Sequence, residues 1–494
     1  MANDERPNIV LFFTDQQRAD TIHAAGNPVI KTPSLDRLAA EGTIFRSAYT
    51  PSPVCVPARC SMIHGQHPAT TGCAENRDPM PTDRPSLMQV LTEAGYRTHG
   101  IGKMHFTPDS FALRGFQTRE HQEEIRDEVK GDDYLEFLHA NGFDHVGDVM
   151  GPRGEMYYIP QPAQMPARLH ATNWVGDRSV AFLRGADARQ PFFLWTSFIH
   201  PHPPFSPPTP WNKLYRAALM PLPKVPHQPE ALHIDTNRRQ NRYKYRDNGI
   251  DRNLLRCMKA YYYACISFID FQVGRVLEAL AQRGCLERTL ILFASDHGEF
   301  LGDYNCFGKR SMLDAAARVP LITRCPGRFA AGQVCDAPAS LLDVMPTILA
   351  SAGIERDEAD LHGVDLADVA AGRHDDRTVY SQHDHRELGV YMALNRRWKY
   401  FYSAPDRKEV LIDREQDPAE TRNRAGVVFC RDDLAAMRQN LMAFYRGRGV
   451  TEPFDGDAWR LYPQPEISSD PDTGLLIQDP GWSQPFQRIP GYRD

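Results

Sequence analysis

The sequence predicts an α/β fold: a large, mixed, mostly parallel sheet sandwiched by helices, followed by a smaller C-terminal α+β domain built on an antiparallel sheet. Three observations carry this expectation. Asn8–Phe13, Pro191–Ile199 and Thr289–Ser295 are continuous apolar runs without alternation, as expected of strands buried on both faces. Each run stops at residues able to do chemistry: Asp15 and Gln16, then His200 and His202, then Asp296 to Glu299. Those are carboxyl ends of strands, where open α/β sheets keep their ligands. After about Gly372 the pattern changes. Residues 379–382, 389–394, 398–403 and 410–413 alternate apolar and polar over short spans, as in an antiparallel sheet open to water on one side. The expected divisions are a catalytic domain over 1–375, a C-terminal sheet plus helix over 376–450, and an extended tail over 451–494 that serves an oligomer contact.

The elements follow in order. Ser34 to Glu41 reads as a short amphipathic helix closed by Gly42. Cys55-Val56-Pro57-Ala58-Arg59 reads as a loop turning into a helix, because proline suits the first helical turn. Cys55 then sits at a helix N-terminus, where free N–H groups favour negative charge, and Arg59 adds a positive charge one turn on. A helix over Ser86 to Ala94 leads to Gly95–His105, a strand ending in a Gly-rich turn that presents Lys103 and His105 on one side. Residues 111–170 are polar, and their acidic cluster Glu120, Glu123, Glu124, Asp127 and Glu128 reads as a solvated insertion. Helices are expected over Val175 to Gly185, Tyr261 to Arg283, Ser340 to Ala352 with a bend at Pro346, and Asp432 to Tyr445; Val319 to Ile322 is a short strand. The stretch 204–252 is proline-rich and then basic (Arg238, Arg239, Arg242, Lys244, Arg246, Arg252), a lid or an oligomer contact.

Composition narrows the function classes. With 494 residues, 41% hydrophobic and 24% charged, the chain is an ordinary globular protein large enough for two domains. Its net charge of −6 argues against a nucleic-acid partner. No run approaches a membrane span, and MANDERPNIVLFF reads as a first strand and not as a signal peptide. Ten cysteines without close pairing indicate neither a disulfide framework nor a zinc ribbon, which fits a reducing cytoplasm.

Asp15 and Asp296, at two strand ends, with Gln16 and His297 beside them, make an oxygen-rich site for a hard cation: Ca²⁺, Mn²⁺ or Mg²⁺. Taken with the Cys55-x-Pro57-x-Arg59 pentad, Gly102-Lys103-x-His105, Asp296-His297-Gly298-Glu299, Gly308-Lys309 and Pro201-His202-x-Pro204, the chain resembles the type I (formylglycine-dependent) sulfatases of the alkaline phosphatase superfamily. The resemblance runs from Asn8 to the C-terminal sheet near residue 413.

That resemblance implies an alkaline-phosphatase-like catalytic domain in a bacterial, metal-dependent sulfuric ester hydrolase. Cys55 would be converted to Cα-formylglycine by the formylglycine-generating enzyme; the family's auxiliary segment has Thr where this chain has His64. Asp15, Gln16, Asp296, His297 and the modified Cys55 would hold one divalent cation. The hydrated aldehyde would attack sulfur and form a covalent sulfate hemiester. Lys103 and Lys309 would hold the sulfuryl oxygens, His202 would protonate the leaving oxygen, His105 would act as the base that expels sulfate, and Arg59 would hold nucleophile and ligands in place.

A phosphonate monoester or phosphodiester hydrolase shares the nucleophile and the Asp-His pair. Such enzymes tend to lack the Lys103 and His105 seen here, which favours sulfate. A non-catalytic metal-binding relative would show gaps in the site, and none is evident. The organic half of the small-molecule sulfate ester, aryl, sugar or alkyl, is left to loops 111–170 and 204–256, with His64, Asn76, Tyr157 and His170 as candidate contacts. A dimer or tetramer is expected from the tail.

Overall fold

The computed structural model describes residues 6–124, 131–146, 148–151, 157–187, 189–244, 251–357 and 360–466. Its main sheet has eight strands in the order Thr118–His121, Arg97–Gly102, Phe192–Phe198, Asn8–Thr14, Thr289–Ser295, Leu321–Arg324, Thr43–Phe45, Gln333–Cys335. The first five run parallel; Leu321–Arg324 pairs antiparallel with both its neighbours. Alternate residues of the apolar runs enter two separate cores. Ile9, Leu11, Phe13, Leu290, Leu292, Phe193 and Trp195 pack on one face; Val10, Phe12, Ile291, Phe293, Phe192 and Leu194 pack on the other. Two covered faces explain why no polar alternation survives in the sequence. Each such side chain contributes roughly 1.5–3 kcal/mol by its burial.

The parallel register fixes where function can lie. Thr14 is level with Phe198 and Ser295, Gly102 with Ser197, and Gly102 with His121. The segments that follow these strands, at 15–17, 103–105, 122–124, 199–202 and 296–299, therefore emerge at one edge of the sheet. The helix Cys55–His64 packs beneath that edge with all ten residues buried and ends on Gly65 at φ 64°. Leu361 and Met345 would meet a Cβ there, so glycine both closes the helix and admits its neighbours.

Several expectations are corrected. The second long helix starts at Arg252, nine residues before the apolar periodicity, capped by Asp251 whose carboxylate accepts from the Asn253 and Leu254 amides. The helix expected from Val175 starts at Ala171, capped by His170. Pro346 causes no bend, because a 3₁₀ turn over Leu341–Asp343 precedes the helix Val344–Ser351 and leaves the proline in its first turn. The basic stretch contains a helix, Asp235–Lys244. The strand expected at Val319–Ile322 is Leu321–Arg324.

The C-terminal sheet, Val379–His383, Val390–Leu394, Trp398–Ser403 and Lys408–Asp413, is antiparallel as expected but is not open to water. Val390, Met392, Phe401, Val410 and Ile412 face the main body with Phe300 and Met312. Tyr391, Tyr400, Tyr402 and Leu411 face the helix Arg431–Arg446 through Met437, Leu441 and Tyr445. The helix read from the same sequence covers the face assigned to solvent, and tyrosines supply the apparent polarity. No helix among the described residues is long and apolar enough to cross a membrane.

Candidate active site

Cys55 lies at the first position of its helix, fully buried, and Asn76 Oδ1 accepts the neighbouring Val56 N–H at 3.0 Å. Its Sγ is 3.1 Å from Lys309 Nζ, 3.2 Å from His297 Nε2 and 3.6 Å from Asp15 Oδ1. Burial and Asp15 push this thiol up, but Lys309, Lys103 and His297 outweigh them and hold it well below the ordinary thiol range.

Arg59 is also fully buried and ties the strand ends together. Its Nε donates to Asp296 Oδ2 at 3.0 Å and its Nη2 to Asp15 Oδ2 at 3.3 Å; Nη1 donates to the Lys103 carbonyl at 2.7 Å and to Ser197 Oγ at 3.2 Å. Ser197 Oγ itself donates to that carbonyl at 2.6 Å. A planar fork suits such divided contacts, which lysine cannot copy.

Ligand atoms of Asp15, Cys55, Asp296 and His297 all lie within 4.8 Å of one another, and all four residues are buried. His297 Nδ1 stands 3.0 Å from the Gly298 carbonyl and donates there, which leaves Nε2 as the ring nitrogen facing the cluster. Asp296 is pushed up by burial and by the adjacent Asp15 carboxylate. Burial would raise Asp15 too, but Lys103, His202, Lys309 and Arg59 keep it low. Two crowded carboxylates, an imidazole nitrogen and a thiol position are a donor set that fits a divalent cation.

Gln16 sits at φ 65°, its N–H donating to Asp296 Oδ1 at 3.0 Å and its carbonyl accepting from Tyr262 OH at 2.7 Å. These bonds hold a left-handed residue that is otherwise unfavourable. Its side-chain amide oxygen accepts from Lys309 Nζ at 2.8 Å and its amide nitrogen donates to Glu299, a residue also bonded by Tyr158 OH at 2.8 Å and the Gly308 N–H at 2.7 Å. Glu299 thus fixes both Gln16 and the loop carrying Lys309.

Lys103 Nζ is 2.6 Å from Asp15 Oδ2 and 2.6 Å from Glu124 Oε2. Glu124 Oε1 is 3.2 Å from His202 Nδ1, and that nitrogen is also 2.7 Å from the Pro203 carbonyl. Glu123 Oε1 accepts the N–H groups of Met104 and His105, each at 3.1 Å. His105 is half-buried at φ 54°, with no partner for Nδ1 among the described residues.

Glu123 and Glu124 overturn the solvated reading of the acidic cluster: both are buried, and Glu120 is engaged by Arg178 and His99. Asp127 and Glu128 lie outside the described residues. The available signal was distance past a strand. Thr118–His121 pairs with Arg97–Gly102 so that Glu123 and Glu124 emerge beside Lys103 and His105. Of the candidate substrate contacts, His64 closes the far end of the helix against the Pro85 carbonyl, and burial lowers it to about 4. His170 caps a helix and sits 3.2 Å from the Ser206 carbonyl. Asn76 and Tyr157 do border the site, Tyr157 edge-on to His202 with ring centres 6.2 Å apart.

Comparison with known proteins agrees with this geometry. The family model described as "Sulfatase" matches residues 7–354, and one described as "N-sulphoglucosamine sulphohydrolase, C-terminal" matches 302–445. An arylsulfatase of Clostridium perfringens is 31% identical over 461 residues, covering 90% of this chain and 95% of its own. A choline-sulfatase of Rhizobium meliloti is 30% identical, covering 85% and 82%. The fold superposes on the phosphonate monoester hydrolase of Agrobacterium radiobacter with a TM-score of 0.77 at 23% identity, over 90% of this chain and 96% of that one. The chain belongs to the sulfatase family, sulfuric ester hydrolases built on the alkaline-phosphatase-like fold.

Proposed function

We propose that this protein hydrolyses sulfate monoesters with the help of one divalent cation, Ca²⁺, Mn²⁺ or Mg²⁺, and uses Cys55 as the precursor of a formylglycine nucleophile made by the formylglycine-generating enzyme. One observation carries the reading. Cys55 Sγ, at a helix N-terminus, has Lys309 Nζ, His297 Nε2 and Asp15 Oδ1 within 3.1–3.6 Å. A nucleophile so placed faces an anion site on one side and a cation site on the other.

When bound, the cation supplies a Lewis acid to the nucleophile and the sulfuryl oxygens. Lys309, Lys103 and the helix N-terminus bind those oxygens and stabilise charge as the ester S–O bond breaks. Arg59 keeps Asp15 and Asp296 in register with the nucleophile. His202 gives its proton to the leaving oxygen, and His105 takes one from the nucleophile when sulfate departs. The location of Lys103 inside the site, on Asp15, supports sulfate over phosphonate monoesters.

Ten free cysteines support a reducing, cytoplasmic setting. An association of copies, dimer or tetramer, is supported by the exposed Val428 and Phe429, the latter 96% exposed; residues 467–494 of the tail expected to contribute lie outside the described residues. The test of function is a paired rate comparison on converted protein, an aryl sulfate against an aryl phosphonate monoester, with and without the cation. A sulfate preference supports the proposal; a phosphonate preference replaces it with phosphoryl transfer.

A further inference from the structure

Glu124, among the described residues, touches both Lys103 and His202. Its side chain is 6% exposed, and its two oxygens are divided between them, Oε2 on Lys103 Nζ at 2.6 Å and Oε1 on His202 Nδ1 at 3.2 Å. Lys103 is thereby shared between Glu124 and Asp15, at 2.6 Å from each. A single carboxylate thus sets the direction of one cation and the orientation of one imidazole, and it arrives from a loop that the chain could have left in solvent. The opposite face of His202 is equally defined: Nε2 is buried, has no partner among the described residues, and the ring stands edge-on to Tyr157.

We propose that Glu124 is a positioning residue that couples the sulfuryl-binding Lys103 to the proton donor His202. Its charge, 3.2 Å from Nδ1, acts with the Pro203 carbonyl at 2.7 Å to keep Nδ1 protonated, so that Nε2 is the nitrogen that carries the transferable proton. When the ester S–O bond breaks, the leaving oxygen takes the bond's electron pair and the Nε2 proton. His202 is left neutral, with its remaining proton on Nδ1, between Glu124 and the Pro203 carbonyl. Glu124 neither gains nor loses a proton; burial holds His202 well below the ordinary imidazole range, and the fixed charge of Glu124 opposes that and favours the protonated ring from which transfer occurs. The second oxygen shares Lys103 with Asp15, each 2.6 Å from the ammonium, and so fixes that charge between the two carboxylates, beside the oxygens of the bound ester.

The inference rests on the sulfatase reading, and leaving-group dependence separates the two. Purified, converted holoenzyme and its Glu124→Gln, His202→Gln and double variants would be assayed on aryl sulfates spanning good to poor leaving groups. Glu124→Gln keeps size and hydrogen bonding but removes the charge. A group that serves proton donation matters most where the leaving oxygen is most basic. We expect Glu124→Gln to lower kcat about tenfold more on the poorest leaving group than on the best, a part of the ~10²–10⁴ that general acid catalysis contributes in all. In the His202→Gln background the same change should lose that leaving-group dependence. Equal losses across all leaving groups, or an undiminished effect without His202, overturn the proposal. Glu124→Asp, which retains charge, guards against a folding defect: it should recover part of the dependence on leaving group, and failure to do so in a folded variant also counts against coupling. Wild-type protein that turns over no sulfate ester removes the sulfatase reading itself.

Discussion

Lys309 Nζ lies 3.1 Å from Cys55 Sγ, and the same ammonium donates to Gln16 Oε1 at 2.8 Å. One buried cation is therefore shared between the nucleophile position and a residue of the first strand end. In unconverted, metal-free protein this contact, with Lys103 and His297, holds the Cys55 thiol low against burial and Asp15. Replacing Lys309 by Met should raise the thiolate titration midpoint, read from ultraviolet thiolate absorbance against a Cys55→Ser blank. An unmoved midpoint means that Lys309 is not what charges the site.

Arg59 neutralises two buried carboxylates from inside the protein. Removing it leaves Asp296 without its guanidinium partner and crowded against Asp15, which keeps only Lys103 of its two close cations. Arg59→Ala should cost roughly 3–5 kcal/mol in urea unfolding, and Arg59→Lys only part of the divided hydrogen bonding but most of the activity. A variant as stable as the parent would show that these ion pairs contribute nothing net.

A divalent cation bound among Asp15, Asp296 and His297 links metal to stability. Chelation should lower Tm and activity together, and Mn²⁺ or Ca²⁺ should restore both, with about 2.7 kcal/mol gained at a hundredfold excess over Kd. Asp296→Asn should shrink the metal-dependent rise in Tm. No change in Tm on chelation and readdition would contradict a buried cation site.

Asp270 supplies a pH test away from the site. Its carboxylate accepts from the Leu35 and Ser34 amides at 2.8 and 3.2 Å, capping a helix, yet burial pushes it up to about 7. A carboxyl raised in the folded state binds its proton more tightly there than in the unfolded chain. Its contribution is complete below the unfolded value and is lost as pH rises from about 4 through 7, on the order of 4 kcal/mol in all. Asp270→Asn should flatten that part of the stability–pH curve; an identical slope in the variant would contradict the assignment.

The strands that end in Asp15, Asp296 and His202 were legible because burial on both faces removes all polarity until the chain reaches the sheet edge. Cys55 and Arg59 were legible because their spacing is tight and local, and Lys309 only through the resemblance of Gly308-Lys309 to a family motif. Glu123 and Glu124 were not, since their environment is created by a strand pairing between Thr118–His121 and Arg97–Gly102 that no local pattern announces. Acidic residues in a polar stretch look solvated until that register is known. The same limit applied to the C-terminal sheet: Tyr391, Tyr400 and Tyr402 look water-facing in alternation, but they pack under a helix that follows much later in the chain. Helix starts at Ala171 and Arg252 depend on the caps His170 and Asp251, which apolar periodicity does not register.

The most direct measurement is the fraction of Cys55 converted to formylglycine, read by mass spectrometry of its peptide, against aryl sulfate turnover in the same metal-loaded preparations. Samples would be made with graded amounts of the generating enzyme. Turnover proportional to conversion and extrapolating to zero at none, with Cys55→Ala inactive, is the predicted result. Full turnover by unconverted protein, or complete conversion without hydrolysis of any sulfate ester, would contradict the account.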